Sequence, residues 1–440
     1  RPEAVMVWSC EGMNGMSRQF HTLYRERLAR GYWRDRERPV LINNWEATAF
    51  DYVEEDLIRF ARKAKECGIE LFVLDDGWFG ARNNDRAGLG DWRANPAKLP
   101  NGIKGLADQI EALGMKFGLW FEPEMVNRDS DLFRAHPDYI IQTPGRTPSH
   151  GRNQFVLDFS RPEVVDEIYN QMYALLSDAK ISYIKWDMNR SISECYSASL
   201  PADQQGEVFH RYLLGVYSLH ERLIRAFPEL LIESCSSGGG RFDAGMLYYA
   251  PQGWTSDDSD AIERLKIQYG TSLVYPISSM GAHVSACPNS QVGRNTPIET
   301  RGNVAMTGAF GYELDLNKLS EEELKAVKQQ VVFYKQNRRL LVQGAFYRLL
   351  SPFEGNFAAW EVAEHDGSRA LVTVTRILSE INGPYRRLPL LGLDPDRKYH
   401  IYSKYLSYEA YGDELMQFGL MLEDQASGQI IEGSGGSGSC

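Results

Sequence analysis

A chain of 440 residues, 43% hydrophobic and 24% charged, has the composition of a globular protein too long for one ordinary core, so we expect a large domain and a smaller one. Its formal net charge of -11 argues against nucleic acid or an anionic membrane surface as a partner, because both would repel it, and favours a small substrate. The sequence shows no membrane-spanning apolar run, no signal pattern and no C-x-x-C pair among its 6 cysteines, which predicts a cytoplasmic protein without a zinc site.

The first 38 residues form a lead-in with a helix predicted at about 17–30, and residues 39–339 then alternate between two patterns. Short β-rich runs are followed by runs whose apolar residues recur at helical spacing, as Ile103, Leu106 and Ile110 do. The predicted strands cover residues 39–45, 71–79, 116–126, 155–160, 183–190, 230–235, 253–258 and 276–281. Strict alternation requires parallel strands, and eight units favour a closed (β/α)8 TIM barrel over an open Rossmann sheet, whose G-x-G-x-x-G motif does not follow the first strand.

After about residue 340 the pattern changes to short β-runs at 345–350, 358–362, 370–375 and 398–402. Asp366 and Gly367 form a turn signal between two of them, which predicts a hairpin. Residues 340–425 are therefore predicted to form a small antiparallel β-sandwich. Residues 426–440 are predicted to be a flexible tail, since the Gly/Ser run at 433–440 ends in Cys440 and resembles an added tether.

The active site of such a barrel lies at the carboxyl ends of its strands, and the residues there are mostly acids and tryptophans. The strand-end residues are Trp45, Asp75, Asp76, Trp78, Trp120, Glu122, Glu124, Asp158, Lys185, Asp187, Asn189, Arg190, Glu233, Cys235, Trp254, Asp257, Asp258 and Asp260. Aromatic faces can cover the apolar C–H patches of a sugar ring while carboxylates bind its hydroxyls. The set favours a carbohydrate site, although any single member could instead be a surface acid or a core tryptophan.

Two aspartates among these residues are candidates for the catalytic pair. Lys185 and Asp187 share one face of a strand, and the ammonium favours the charged, nucleophilic form of Asp187. Asp257 has the like charge of Asp258 beside it, which would raise its pKa and keep it protonated. One predicted strand separates the two, so their backbones should lie about 9–10 Å apart and their carboxyl groups about 5 Å apart. That spacing is typical of a retaining double displacement.

Seven stretches resemble the α-galactosidases of glycoside hydrolase family 36, in clan D. They are LINNWEAT (41–48), ELFVLDDGWFG (70–80), FGLWFEPEMV (117–126), YIKWDMNR (183–190), ESCSSGGGR (233–241), WTSDDSDAIERLKIQYG (254–270) and LLSPFEG (349–355), in the order the family has them. The resemblance implies retaining hydrolysis of terminal α-D-galactosyl residues, from melibiose- or raffinose-type oligosaccharides and aryl α-galactosides, without a metal or organic cofactor. It implies Asp187 as the nucleophile and Asp257 as the acid/base.

The resemblance also implies a galactose pocket. With Trp254 from the strand ends, the predicted substrate-binding residues are Trp45, Asp75, Asp76, Trp120, Arg152, Lys185, Asn189, Cys235 and Gly238. Asp75 and Asp76 would accept from the axial O4 and O6, Lys185 would reach O3 and O4, and Cys235 and Gly238 would lie near the C2 hydroxyl. An acceptor at the axial O4 gives a physical reason for galactose over glucose.

Two departures from the family keep other functions open. Members of the family carry a large N-terminal β-supersandwich, which in homotetrameric members lends an aromatic residue to a neighbouring site, and we expect this chain to lack it. Ser237 stands where some relatives have glycine. The alternatives are a catalytically impaired sugar-binding fragment, an α-N-acetylgalactosaminidase and a galactosyl transferase of the same mechanism.

Overall fold

The structure is a computed structural model that describes residues 4–381, 383, 385–403, 407–422 and 429–435, the last stretch through its strand alone. Its strands are β1 Leu41–Asn43, β2 Leu71–Leu74, β3 Lys116–Phe121, β4 Met125–Asn127, β5 Gln154–Val156, β6 Ile181–Trp186, β7 Leu231–Ser234, β8 Gln252–Trp254, β9 Met280–Ser285, β10 Ala309–Glu313, β11 Ala345–Leu350, β12 Phe357–Ala363, β13 Arg369–Arg376, β14 Arg386–Leu388, β15 Lys398–Tyr402, β16 Ser407–Tyr411, β17 Leu420–Leu422 and β18 Gln429–Gly435. Its α-helices are α1 Gly12–Leu23, α2 Trp45–Thr48, α3 Glu54–Glu66, α4 Gly102–Ala112, α5 Asp131–Ala135, α6 Pro162–Asp178, α7 Val208–Ala226, α8 Ala244–Tyr249, α9 Ala261–Thr271, α10 Ile298–Ala305, α11 Glu321–Gln343 and α12 Gly412–Gln417. Among the described residues, no helix is long and apolar enough to cross a membrane.

Eight of these strands close into a parallel barrel, which confirms the predicted (β/α)8 fold. Their spatial order is β1-β2-β3-β6-β7-β8-β9-β10, and β10 pairs with β1 to complete the ring. The strands are buried almost from end to end, because helices cover the outside and side chains fill the interior. The carboxyl ends of all eight strands therefore meet at one face of the barrel.

One predicted barrel strand was assigned incorrectly, and one strand of the barrel was missed. Residues 155–160 do not enter the ring, because β5 instead pairs antiparallel with β4 in an excursion between β3 and α6. The strand that closes the barrel is β10, a short run with a central glycine that the sequence pattern did not single out. Asp187 thus follows the fourth barrel strand and Asp257 the sixth, and one strand, β7, still lies between them.

The C-terminal region forms the predicted antiparallel β-domain. Six strands in the order β11-β12-β13-β18-β15-β16 form one sheet, and β14 and β17 form a second, with a separate apolar core that draws on both sheets. The predicted hairpin joins β12 to β13, with Gly367 at a φ of +66° in its turn. Helix α11 runs to Gln343, so the β-domain begins a few residues later than predicted.

The stretch predicted as a flexible tail contributes to this sheet. Strand β18 lies between β13 and β15, so the prediction of a tail from residue 426 was wrong for residues 429–435. Pairing on both edges satisfies the backbone groups of a strand whatever its side chains are, which a composition argument does not capture. Residues 426–428 and 436–440, with Cys440, lie outside the described residues.

The lead-in helix α1 lies between the barrel and the β-domain, and it begins earlier than predicted. His21 and Ser17 bond the backbone carbonyl groups of Ser272 and Leu273, each at 2.8 Å. Arg348 of β11 donates to the same Ser272 carbonyl at 2.8 Å. These buried polar contacts join the lead-in, the barrel and the β-domain at one point.

Candidate active site

A cavity of about 380 Å³ opens at the carboxyl ends of the barrel strands. It is lined by Trp45, Glu46, Asp75, Asp76, Trp120, Arg152, Lys185, Asp187, Asn189, Trp254, Asp257, Ser259, Ser290, Gln291 and Glu313. The structure therefore brings ten of the twelve predicted site residues to one hollow of the size of a small ligand site. Cys235 and Gly238 are not in the lining.

Asp187 directly follows β6 and is 7% exposed. Its Oδ2 accepts from Trp120 Nε1 at 3.3 Å and from Asn189 Nδ2 at 2.8 Å. Its Oδ1 accepts from the backbone N–H groups of Met188 at 2.8 Å and Ser237 at 3.4 Å. Four donors around one carboxylate fix its orientation.

Asp257 lies in the segment after β8 and is more open to solvent than Asp187. Burial raises the pKa of Asp257, and the charge of Asp187 raises it further, while Lys185 opposes the shift. The two aspartates thus interact electrostatically across the cavity. Hydrogen-bond donors surround Asp187, whereas Asp257 is biased toward its protonated form, and acid-assisted displacement requires one such protonated carboxyl group.

Lys185 makes its ion pair with Asp75. Its Nζ lies 2.9 Å from Asp75 Oδ2, both side chains are buried, and the same oxygen accepts from Asn43 Nδ2 at 2.5 Å. Burial lowers the pKa of Lys185, but Asp75 and then Glu313 raise it well above its usual value. The ammonium that shares a strand face with Asp187 therefore has its ion-pair partner two strands away, in Asp75.

Asp76 is held by Arg82 rather than by Lys185. Arg82 Nε lies 2.9 Å from Asp76 Oδ1 and Arg82 Nη2 lies 2.7 Å from Asp76 Oδ2, in a bidentate pair. Burial nevertheless raises the pKa of Asp76. Adjacent acids in the sequence therefore have separate cations, which keeps both carboxyl groups aimed into the cavity.

Comparison with known proteins supports the assignment that the motifs indicate. A family model described as Melibiase matches residues 1–344, and one described as the C-terminal domain of glycosyl hydrolase family 36 matches residues 357–436. The chain belongs to the melibiase family. The resemblance to glycoside hydrolase family 36 is thereby confirmed, and the family's solved structures share the barrel and the β-domain seen here.

Several melibiase-family relatives are similar over nearly the whole chain. Alpha-galactosidase AgaA of Geobacillus stearothermophilus is 58% identical over 97% of this chain and 58% of its own length. Alpha-galactosidase Mel36A of Lactobacillus acidophilus is 51% identical over 95% of this chain and 57% of its own length. A crystal structure of an AgaA variant with raffinose has a TM-score of 0.95 at 56% identity, covering 98% of this chain and 60% of that one. The chain spans less than two thirds of the length of these relatives.

Two of the predicted substrate-binding residues, Cys235 and Gly238, lie next to the cavity but outside its lining. Cys235 is 2% exposed, and burial, followed by the charge of Asp187, raises the pKa of its thiol well above the usual value. Gly238 has a φ of +81°, and a Cβ there would lie 2.6 Å from the backbone nitrogen of Asp257. Both therefore lie beside the segments that carry the two aspartates.

Two acids of the cavity were missed by the sequence analysis. Glu46 follows β1, accepts from Ser259 Oγ at 2.6 Å and has its pKa raised to about 7 by burial and by Glu313. Glu313 ends β10, and burial raises its pKa to about 7 although Lys185 opposes the shift. Closure of the barrel brings β1 beside β10, so the strand misassignment also hid this pair. The polar end of the run at 309–313 was the available signal.

Other strand-end residues have structural roles. Trp78 is a fully buried core residue. Asp158 accepts hydrogen bonds from the hydroxyl groups of Ser160 and Ser197. Asp260 caps the start of α9. Glu122 and Glu124 are both fully buried outside the cavity lining. Arg241 pairs with Glu124 in a bidentate contact at 2.8 and 2.9 Å.

Within the part of the chain that the structure describes, no cluster of three or more His, Cys, Asp or Glu side chains could hold a metal ion.

Proposed function

We propose that this chain is a retaining α-galactosidase that removes terminal α-D-galactosyl residues from small α-galactosides. The proposal rests on one observation: Asp187 and Asp257 line the same cavity of about 380 Å³. They follow β6 and β8, which have β7 between them. Relatives named as alpha-galactosidases, among them one crystallised with raffinose and with stachyose, support the substrate class. Melibiose- or raffinose-type oligosaccharides and aryl α-galactosides are the proposed substrates.

Asp187 is the proposed nucleophile. Its carboxylate attacks the anomeric carbon, the bond from that carbon to the leaving oxygen breaks, and Asp257 gives its proton to the departing oxygen. Water then loses a proton to Asp257 and attacks the same carbon, and the ester bond to Asp187 breaks. Two inversions give net retention, and each step conserves charge between the two aspartates.

Asp75 and Asp76 are the proposed selectors of the sugar. They follow β2 side by side, and Lys185 reaches Asp75 from two strands away. Acceptors next to an ammonium suit vicinal hydroxyls, and an axial O4 would meet an acceptor that an equatorial O4 would miss. Trp45, Trp120 and Trp254 would cover the C–H faces of the ring.

The test compares Asp187→Ala and Asp257→Asn with the unsubstituted chain and with Asp178→Asn, a change at an exposed position outside the cavity. Release of nitrophenol from an aryl α-galactoside should fall on the order of 10⁴-fold or more in Asp187→Ala and remain unchanged in Asp178→Asn. Unchanged turnover in Asp187→Ala would reject the proposal.

Stereochemistry supplies an independent measurement. Proton NMR of a fresh reaction should show α-galactose first, with β-galactose arising only by mutarotation. β-Galactose as the first product would overturn the retaining mechanism.

A mechanism-based fluorinated galactosyl donor should label Asp187. Calorimetric galactose binding without any turnover would instead indicate a sugar-binding fragment. An aryl α-N-acetylgalactosaminide as the better substrate, or acceptor-dependent product, would favour the remaining alternatives.

A further inference from the structure

The segment 236–240 lies between the two aspartates of the proposed reaction. It follows β7, whose two neighbours in the barrel are β6, which leads to Asp187, and β8, which leads to Asp257. Ser236 donates its backbone N–H to the Gly238 carbonyl at 2.9 Å, which closes the segment into a tight turn. Both faces of this turn therefore contact a catalytic segment.

The face toward Asp187 carries serines that bond to the neighbouring segment. Ser236 Oγ donates to the carbonyl of Met188 at 3.0 Å. The Ser237 backbone N–H lies 3.4 Å from Asp187 Oδ1, and Ser237 Oγ lies 3.1 Å from Asn189 Oδ1. Three contacts tie the turn to three consecutive residues.

The face toward Asp257 has room for glycine only. A Cβ on Gly238 would lie 2.6 Å from the Asp257 backbone nitrogen, and one on Gly239 would lie 2.3 Å from the carbonyl oxygen of Thr255. Real Cβ atoms do not approach backbone this closely. The order Ser-Ser-Gly-Gly therefore matches the two faces, with hydrogen bonds on one side and close backbone packing on the other.

Ser237 stands in a backbone conformation that favours glycine. Its φ is +45°, in the left-handed region that a side chain rarely adopts. A glycine at this position would take the same backbone without strain. We infer that a hydrogen bond of the serine hydroxyl offsets this strain. The hydroxyl donates to Asn189 Oδ1.

Asn189 links the nucleophile to a buried acid. Its Nδ2 donates to Asp187 Oδ2 at 2.8 Å and lies 3.1 Å from Glu122 Oε2. If the amide turned over, its Oδ1 would face both carboxyl groups and repel them. A hydroxyl that donates to Oδ1 from the far side, as Ser237 does, holds the amide in its donating orientation.

We propose that Ser237 is a positioning residue for the nucleophile, since its hydroxyl fixes the Asn189 amide so that Nδ2 points at Asp187. This inference rests on the proposed function in one respect, that Asp187 is the nucleophile. It explains why a serine occupies a left-handed position next to three glycines.

The experiment uses Ser237→Ala and Ser237→Gly in the full chain, each also combined with Asn189→Ala. Both single variants remove the hydroxyl, and Gly also relieves the backbone strain. We expect each to lower kcat on an aryl α-galactoside about 5- to 20-fold, the effect of one lost hydrogen bond, with KM changed by less than about 3-fold. The acidic limb of the pH profile should move to higher pH, because the carboxylate loses part of its donor set.

In the Asn189→Ala background, replacing Ser237 should have no further effect, since the partner of its hydroxyl is gone. Wild-type kcat in Ser237→Gly would show that the hydroxyl group is not needed and would overturn the proposal. An equal loss in the Asn189→Ala background, or an unmoved acidic limb, would also overturn it.

A structural measurement separates this inference from the proposed function. Neutron crystal structures distinguish the amide oxygen from its nitrogen, and they should show the Asn189 amide turned over or withdrawn from Asp187 in Ser237→Ala but not in the unsubstituted chain. An Asn189 amide that still donates to Asp187 in the variant would overturn the positioning role whatever the activity. Absence of turnover in the unsubstituted chain would reject the proposed function, and the same pair of structures would still decide the role of Ser237.

Discussion

The two cores of the molecule treat buried charge differently. In the barrel, some buried acids have cations in contact, as Asp76 has Arg82 and Glu124 has Arg241. In the described part of the β-domain, Glu361 is the one buried acid; its Oε2 accepts from the Leu391 backbone N–H at 2.8 Å, and its Oε1 has no partner. Burial raises the pKa of Glu361 to about 8. The barrel thus pairs these two buried acids with cations, whereas the β-domain gives Glu361 no cation and keeps it neutral.

The largest expected effect comes from breaking a buried pair of the barrel. Arg241→Met leaves the fully buried Glu124 without its bidentate cation, and the free energy of unfolding should fall by about 3–5 kcal/mol. Urea unfolding at neutral pH measures the change. Lys104→Met removes an exposed pair with Asp108 on α4 and should cost about 0–1 kcal/mol. Equal losses in the two variants would mean that burial of the pair does not matter here.

The β-domain should respond in the opposite direction when its acid is neutralised. In the unfolded chain a glutamate loses its proton near pH 4.5, whereas Glu361 in the folded chain keeps its proton up to about pH 8. The folded state binds more protons in that window, so stability is highest below it and is lost as pH rises through it. Glu361→Gln removes this dependence and should be more stable than the unsubstituted chain by about 1–3 kcal/mol at pH 8.

The measurement for Glu361→Gln is urea unfolding at pH 5 and pH 8, with Glu354→Gln at an exposed position as the control. The gain should appear at pH 8 and shrink toward pH 5, and the control should follow the unsubstituted chain at both. A variant that is no more stable at pH 8 would show that Glu361 is compensated in the fold.

The smallest expected effect concerns a barrel acid that has a raised pKa, and its measurement is activity rather than stability. Glu313 has its pKa raised to about 7, and it interacts with Asp257 across the cavity. Above pH 7 its negative charge helps Asp257 to retain its proton, so Glu313→Gln should move the alkaline limb of the kcat/KM profile to lower pH, by roughly 0.5 unit. Glu321→Gln, at an exposed helix start, should leave the profile in place. A shift to higher pH would contradict the coupling.

Much of the fold could be predicted because its signals are local. The change from helical to strand spacing, the Asp366-Gly367 turn and the apolar strand runs are all properties of neighbouring residues. The separation of Asp187 from Asp257 survived a misassigned strand, because the error lay before both residues and left the single strand between them. The roles of the site residues stay predictions that the variants above test.

The sequence by itself determined the class of the fold, the family, and the placement of Asp187 and Asp257 after strands that one further strand separates. Each of these depends on residue types at fixed positions along the chain. Only the tertiary structure decided which strand closes the barrel, that Lys185 pairs with Asp75, and that Glu46 meets Glu313. The physical reason is that pairing and ionisation depend on distances between groups far apart in the chain. Local patterning carries no information about which of two similar strands completes a ring.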